Sequence, residues 1–319
     1  MEEKLEIKVP TEGDAKVILH DALGKNAKTV KRFTTGQANY VYDVETDEGE
    51  KLVVRLARPD LKYFFDGAVY WYDQLKDKDI PLPKLYFSEL DLSKYGLPVM
   101  IMDRLPGEDL GLVYPKLVAD QKRAIAKDIV GIQNRVASLP EGKGFGYARS
   151  YEDPMLLPTW NEFLNTSLEK SRLHIKNIGL IDEVIVDKVK DSIDQHSYYF
   201  SSVKPTCFLD DTTTKNVIID DGKLTGIVDV DGVAFGDPLL TVGLTRMSLL
   251  SSGYQTDYID YWIDFLDLNK EQRRAIDFYT ALYCVDFMSE LGRAFNKEEV
   301  AKVDDEKVEK LHQILKDLI

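Results

Sequence analysis

Leu209-Asp210-Asp211-Thr212-Thr213-Thr214-Lys215-Asn216 runs directly into Val217-Ile218-Ile219, a turn at Asp220-Asp221-Gly222, a second apolar run from Leu224 to Val228, and Asp229. Two short β-branched runs around an Asp-Gly turn predict a β-hairpin. Asn216 enters its first strand and Asp229 leaves its second, so a hairpin would set an amide oxygen and a carboxylate side by side, as a hard cation requires. Asp211, on the loop that feeds the hairpin, is then placed to orient a hydroxyl nucleophile. Those three groups are what magnesium-assisted phosphoryl transfer asks of a protein, since the metal neutralises charge while a carboxylate positions the attacking oxygen. Taken alone, an Asp followed five residues later by Asn favours a plain hairpin turn with capping or solvated carboxylates. Gly236-Asp237-Pro238, seven residues beyond Asp229, favours the phosphotransferase reading.

Upstream, Phe33-Thr34-Thr35-Gly36-Gln37-Ala38-Asn39 leads into the alternating Tyr40-Val41-Tyr42-Asp43-Val44, and Glu48-Gly49-Glu50 leads into Lys51–Leu56. This predicts two strands joined by a tight turn, with Gly36 at a tip where backbone N–H groups can approach a phosphate. Arg55 lies in the second strand. Leu97–Met102 reads as a buried strand broken by Pro106-Gly107, leaving backbone groups in an apolar crease. Farther on, apolar residues at helical spacing predict helices over Lys116–Ser138, Trp160–His174, Ile181–Tyr199, Leu240–Leu250, Asp257–Phe265, Glu271–Phe295 and Val303–Leu318. Strands followed by helices predict an α+β class.

These stretches resemble the aminoglycoside phosphotransferase and choline kinase-like family, whose catalytic segment reads His-Gly-Asp, four residues, Asn, a hairpin, Ile-Asp and Gly-Asp-Pro. Leu209 stands where the family has His, and Asp210 where it has Gly. The resemblance implies a protein kinase-like two-lobe fold, with a small β-rich nucleotide-binding lobe over residues 1–103 and a larger helical lobe over 104–319 that carries the hairpin and the acceptor site. It implies Asp211 as the catalytic residue and Asn216 and Asp229 as the Mg2+ ligands. For ATP or GTP it implies Gly36 and Asn39 in a Gly-x-x-Asn loop, Arg55 where kinases carry the phosphate-contacting Lys, and the Asp103 carbonyl and Leu105 amide on the base edge, with Met102 behind them. Arg58 competes for the role of Arg55. The helix over Phe64–Lys76 should supply an acid to pair with this cation, and Asp66 is the candidate.

The activity implied is transfer of the γ-phosphate to a hydroxyl of a small molecule, an aminoglycoside or another antibiotic. Metabolite kinases of the sugar, choline or homoserine type share the fold, and a nucleotide-binding pseudokinase would tolerate the departures at Leu209 and Arg55.

Bulk properties narrow the classes further. A formal charge of −14 over 319 residues disfavours nucleic acid and is compatible with a cationic acceptor. Two cysteines cannot form a disulfide framework, the start has no apolar leader and no run is long enough to span a bilayer, so a cytoplasmic protein without a membrane partner is expected. Oligomeric state leaves no mark in the sequence. Asp257, Asp260 and Asp264, and Asp286 with Glu290, fall on common helix faces, with Tyr254, Tyr258 and Trp262 near the first set. They could line an acceptor site, but a solvated acidic face with aromatic residues turned to the core is the simpler reading.

Overall fold

A computed structural model describes residues 9–33, 39–291 and 305–319. Its first layer is a five-stranded antiparallel sheet, built from β1 (Ala27–Arg32), β2 (Tyr40–Thr46), β3 (Lys51–Leu56), β4 (Leu85–Glu89) and β5 (Val99–Asp103) in the order β1-β2-β3-β5-β4. Strand β2 alternates buried and half-buried residues, and its register pairs Tyr42 with Val54. The period of two sends Leu52, Val54 and Leu56 to one face, where they meet Ala15, Ile18 and Leu19 of helix α1 (Glu12–Leu23). On the other face, helix α2 (Lys62–Leu75) packs Phe65 and Ala68 against Met100 and Met102. Arg55, one residue out of phase with Val54, therefore points away from α1.

After β5 the chain leaves the sheet: Arg104 N donates to the Lys51 carbonyl at 3.1 Å, and Gly107 adopts φ +107°. A Cβ at Gly107 would lie 2.2 Å from the Ile219 carbonyl oxygen, so only glycine lets the chain cross so close to the next sheet. That sheet joins β6 (Glu108–Asp109) to the hairpin β9 (Val217–Asp220) and β10 (Lys223–Ile227), in the order β10-β9-β6. Asp221 and Gly222, at φ +47° and +73°, make the tight turn. A third sheet orders β7 (Gly146–Ala148), β11 (Val233–Gly236) and β8 (Thr206–Phe208) as β7-β11-β8.

The remainder is helical: α3 (Leu92–Tyr95), α4 (Leu110–Val113), α5 (Ala119–Ala137), α6 (Trp160–Ile178), α7 (Val184–Asp191), α8 (Ser197–Ser202), α9 (Leu239–Ser251), α10 (Asp257–Phe265), α11 (Lys270–Ser289) and α12 (Asp305–Leu318). Together with the two small sheets, most of these share the largest core. The architecture is the expected α+β kinase-like one, a sheet lobe followed by a larger helical part. The single helix expected over Ile181–Tyr199 is instead α7, a 3-10 turn over Asp194–His196, and α8. Ser192 donates its hydroxyl to the Val189 carbonyl at 2.6 Å, the local competition by which a short polar side chain ends a helix. Tyr258 and Trp262 are buried in the core, the simpler of their two readings. Among the described residues no helix is long and apolar enough to cross a membrane.

Asp237 braces this helical part. Its buried carboxylate accepts from the Tyr199 hydroxyl at 2.8 Å, the Tyr279 hydroxyl at 2.7 Å and the Leu239 N–H at 3.0 Å, tying α8 and α11 to the start of α9. Tyr279 in turn accepts from the Trp160 indole of α6 at 2.8 Å. Asp237→Ala would strand these donors, and its expected cost is about 3 kcal/mol of unfolding free energy. Urea denaturation checks this; a loss within ordinary surface-mutation range would show that the brace carries no stability.

Candidate functional site

Strand β8 delivers Leu209, Asp210 and Asp211 to the floor of the cleft between the sheet lobe and the helical part. Leu209 is turned into the core, so the loop must be held by its backbone. Gln133 of α5 does this: its Oε1 accepts from Leu209 N at 3.0 Å and its Nε2 donates to the Leu209 carbonyl at 2.8 Å. The same Nε2 lies 3.2 Å from Thr212 Oγ1, which sits 3.2 Å from Thr241 Oγ1 on α9. Asp211 accepts from the Thr213 hydroxyl at 2.7 Å. Its carboxylate is deep in the cleft yet open to solvent, and the enclosure raises its pKa above the ordinary value while the Thr213 bond opposes the shift. Gln133 was not singled out from the sequence; its one signal is a polar residue among Ile125, Ile129, Ile132 and Val136 on the inward stripe of α5.

The hairpin brings Asn216 and Asp229 to its cleft end, with Val228 N donating to the Asn216 carbonyl at 2.9 Å. Asn216 Nδ2 donates to the Asp211 carbonyl at 3.1 Å, which leaves its Oδ1 as the amide's acceptor. Asp229 takes the left-handed conformation, φ +63°, one that Asp tolerates better than most residues and that re-aims its carboxylate as the strand ends. An amide oxygen and a carboxylate suit a hard cation such as Mg2+. Among the described residues no group of three or more His, Cys, Asp or Glu could hold a metal. Further ligands would have to come from water or from phosphate oxygens, as is usual for Mg2+.

From the sheet lobe, Arg55 reaches into this end of the cleft. Its Nη2 donates to Asp229 Oδ1 at 2.6 Å and to both oxygens of Asp231 at 2.8 and 3.0 Å. Asp231 Oδ2 also accepts from Asn39 Nδ2 at 3.3 Å. Burial works to strip the proton from Arg55, and the Asp231 and Asp229 carboxylates outweigh it, so the guanidinium pKa is raised. Arg55 Nη1 is buried without a hydrogen-bond partner. A guanidinium N–H without a partner is a group that an anionic oxygen satisfies.

Two expectations on this side are corrected. Asp66 does not pair with Arg55: it lies on the outer face of α2 and bonds Lys62 at 2.6 Å, one helical turn away. The acid comes instead from Asp231, which sequence reading passed over although it stands two residues after Asp229. Arg58 does not compete for the role either, being paired with Asp60. Gly36 lies outside the described residues. Met102 is buried on the α2 face of β5. Asp103 ends β5, its carboxylate accepting from the Lys84 N–H, and Leu105 lies half-buried where the chain departs toward β6.

Near Asp211, Tyr147 and Tyr283 place their hydroxyls 3.5 Å apart, within electrostatic reach of Asp210 and Asp286. Ser171 donates to Asp286 at 3.2 Å. Asp257, by contrast, is engaged by Lys122 at 3.1 Å and by the Tyr114 hydroxyl at 2.9 Å on the α5 side.

A sheet lobe with a buried arginine, facing a carboxylate loop and a hairpin that ends in an amide and a carboxylate, defines a kinase-like phosphotransferase of small molecules. The chain belongs to the phosphotransferase enzyme family APH, whose family model matches residues 29–282. Solved structures with the same fold include a mutant aminoglycoside 2'-phosphotransferase IIIa in complex with GDP (TM-score 0.70, 15% identity, 97% of each chain). Aminoglycoside phosphotransferase APH(4)-Ia is similar at TM-score 0.67 and 15% identity, over 97% of this chain and 98% of that one. The streptomycin-ATP complex of APH(2")-IIa matches at TM-score 0.65 and 13% identity, over 97% of each chain. No match was found among curated proteins.

Asp210 offers a pH test of this geometry. Burial and then the neighbouring Asp211 push its pKa up to about 7. The folded chain therefore holds this proton more tightly than the unfolded chain. The resulting stabilisation is complete below the unfolded carboxylate pKa, roughly 4, and lost as pH rises through the folded value. Asp210→Asn, neutral at every pH, is expected to match the parent's thermal midpoint near the low end and to exceed it on the alkaline side. A midpoint difference that does not change with pH would show that Asp210 ionises normally.

Proposed function

We propose that the protein transfers the γ-phosphate of ATP or GTP to a hydroxyl of a small molecule, with residues 1–103 as the nucleotide-binding lobe and 104–319 carrying the hairpin and the acceptor site. The observation that carries this reading is the convergence of Asp211, Asn216 and Asp229 on one hairpin mouth with Arg55 facing it. Asp211 would orient the acceptor hydroxyl and take its proton, while Asn216 and Asp229 would hold Mg2+. Arg55 would contact phosphate, Met102, Asp103 and Leu105 would frame the base, and Gly36 and Asn39 would close the loop above it.

Leu209 in place of the family's His does not argue for a pseudokinase, because Gln133 fixes both backbone groups of that residue. Acceptor chemistry is supported by two observations. Asp286, joined by Asp210 as it ionises above about pH 7, puts negative charge beside the Tyr147–Tyr283 pair near Asp211, which suits a cationic acceptor. Fold relatives were solved with hygromycin B and with streptomycin. An aminoglycoside or another amine-bearing antibiotic is thus the first acceptor class to test, with amino alcohols and sugars as the metabolite alternative.

The test is phosphoryl transfer from ATP or GTP with Mg2+ across a panel of aminoglycosides, macrolides, amino alcohols and sugars. Turnover on one class is expected, and Asp211→Ala should lower kcat by about 10² or more while nucleotide still binds. Undiminished turnover in that variant would remove Asp211 from the mechanism.

A further inference from the structure

We propose that Asp231 is the residue that positions Arg55 for nucleotide phosphate, and that it is the partner Arg55 keeps when Asp229 turns to a divalent cation. The inference rests on the reading of this cleft as a metal-nucleotide site.

Arg55 is 4% exposed and has two carboxylate partners that differ in character: the Asp229 side chain is 52% exposed and that of Asp231 only 20%. Asp229 meets the guanidinium with one oxygen, whereas Asp231 meets it with both and is itself held by Asn39. The outer carboxylate is therefore the one free to turn to a cation, and the inner one the fixed anchor. A fully desolvated guanidinium left without any carboxylate would be costly, so the exchange requires that one partner stay.

Helix α2 supplies no substitute. Its residues turned inward are Phe65, Gly67, Ala68, Trp71, Tyr72 and Leu75, none of them acidic. Phe65 instead lays its ring 5.3 Å from the guanidinium carbon. At Gly67, α2 comes so close to the Asp231 backbone that a Cβ would lie 2.6 Å from the Asp231 carbonyl oxygen. The helix thus acts on Arg55 through shape, by holding the Asp231 loop in place.

Without Asp231, Arg55 and the cation would compete for the one carboxylate of Asp229. Calorimetric titration of the full chain with AMP-PNP or GMP-PNP, at a series of Mg2+ concentrations, reads that competition directly. Asp231→Asn should weaken binding by at least about tenfold and raise the Mg2+ concentration needed for half-saturation. Asp231→Glu should recover most of the loss, and Asp66→Asn should bind as the parent does. Should Asp231→Asn not fold, Gly67→Ala, which presses on the same loop, is expected to raise the Mg2+ requirement in the same direction. Parent-like Mg2+ dependence in Asp231→Asn, or in Gly67→Ala where that variant has to stand in, overturns the proposal, as does a loss of affinity in Asp66→Asn. A parent chain that binds neither nucleotide overturns the nucleotide-site reading and this inference together, whereas parent binding with an indifferent Asp231→Asn overturns this inference alone.

Discussion

The cleft is organised around one buried positive charge. Arg55 sits in the sheet lobe, and both of its carboxylate partners sit on the loop that follows the hairpin. Taking a guanidinium out of water is expensive, and two carboxylates more than match its charge. The surplus is negative, and Asp211 adds to it. Such a cluster favours an additional cation, for which the Asn216 amide oxygen and the Asp229 carboxylate are the proposed ligands. The ion pair joins the sheet lobe to the loop that follows the hairpin.

Around that charge the chain uses buried polar side chains to fix loops that have no regular structure of their own. Gln133 holds the Leu209 backbone, Asn216 holds the Asp211 carbonyl, and Asp237 gathers two tyrosine hydroxyls and a helix N–H. Each satisfies backbone or side-chain groups that burial would otherwise leave unpaired. The tightness of the Asp211 loop thus comes largely from elements distant in sequence: Gln133 of α5 serves Leu209 and Thr212, and Thr241 and Ser248 of α9 meet Thr212 and Thr214.

Much of this was legible in the sequence because local patterns carried it. The hairpin showed in two apolar runs around Asp-Gly, the strand containing Arg55 in its β-branched residues, and α10 in its spacing, which matches Asp257–Phe265 end for end. The short strands β7, β8 and β11 were not legible, since three or four residues are too few to show a period. Helix α1 escaped because its signal is a capping box, Thr11 with Asp14, ahead of a weakly amphipathic run. The partner of Arg55 was misassigned for a different reason. Asp66 lies close in the chain but on the wrong side of its helix, and Asp231 meets Arg55 only after the chain has folded across the cleft. Proximity of that kind has no local signature.

The anchoring of Leu209 also bears on how this chain can change over time. A buried leucine at that position is tolerable only because an amide 76 residues away already serves its backbone. A histidine there would bring a second polar side chain to a place where the Gln133 amide already serves the backbone. Losing Gln133 would leave both backbone groups of Leu209 without the side chain that serves them. The two sites are therefore coupled, and a substitution at one is expected to alter what the other tolerates.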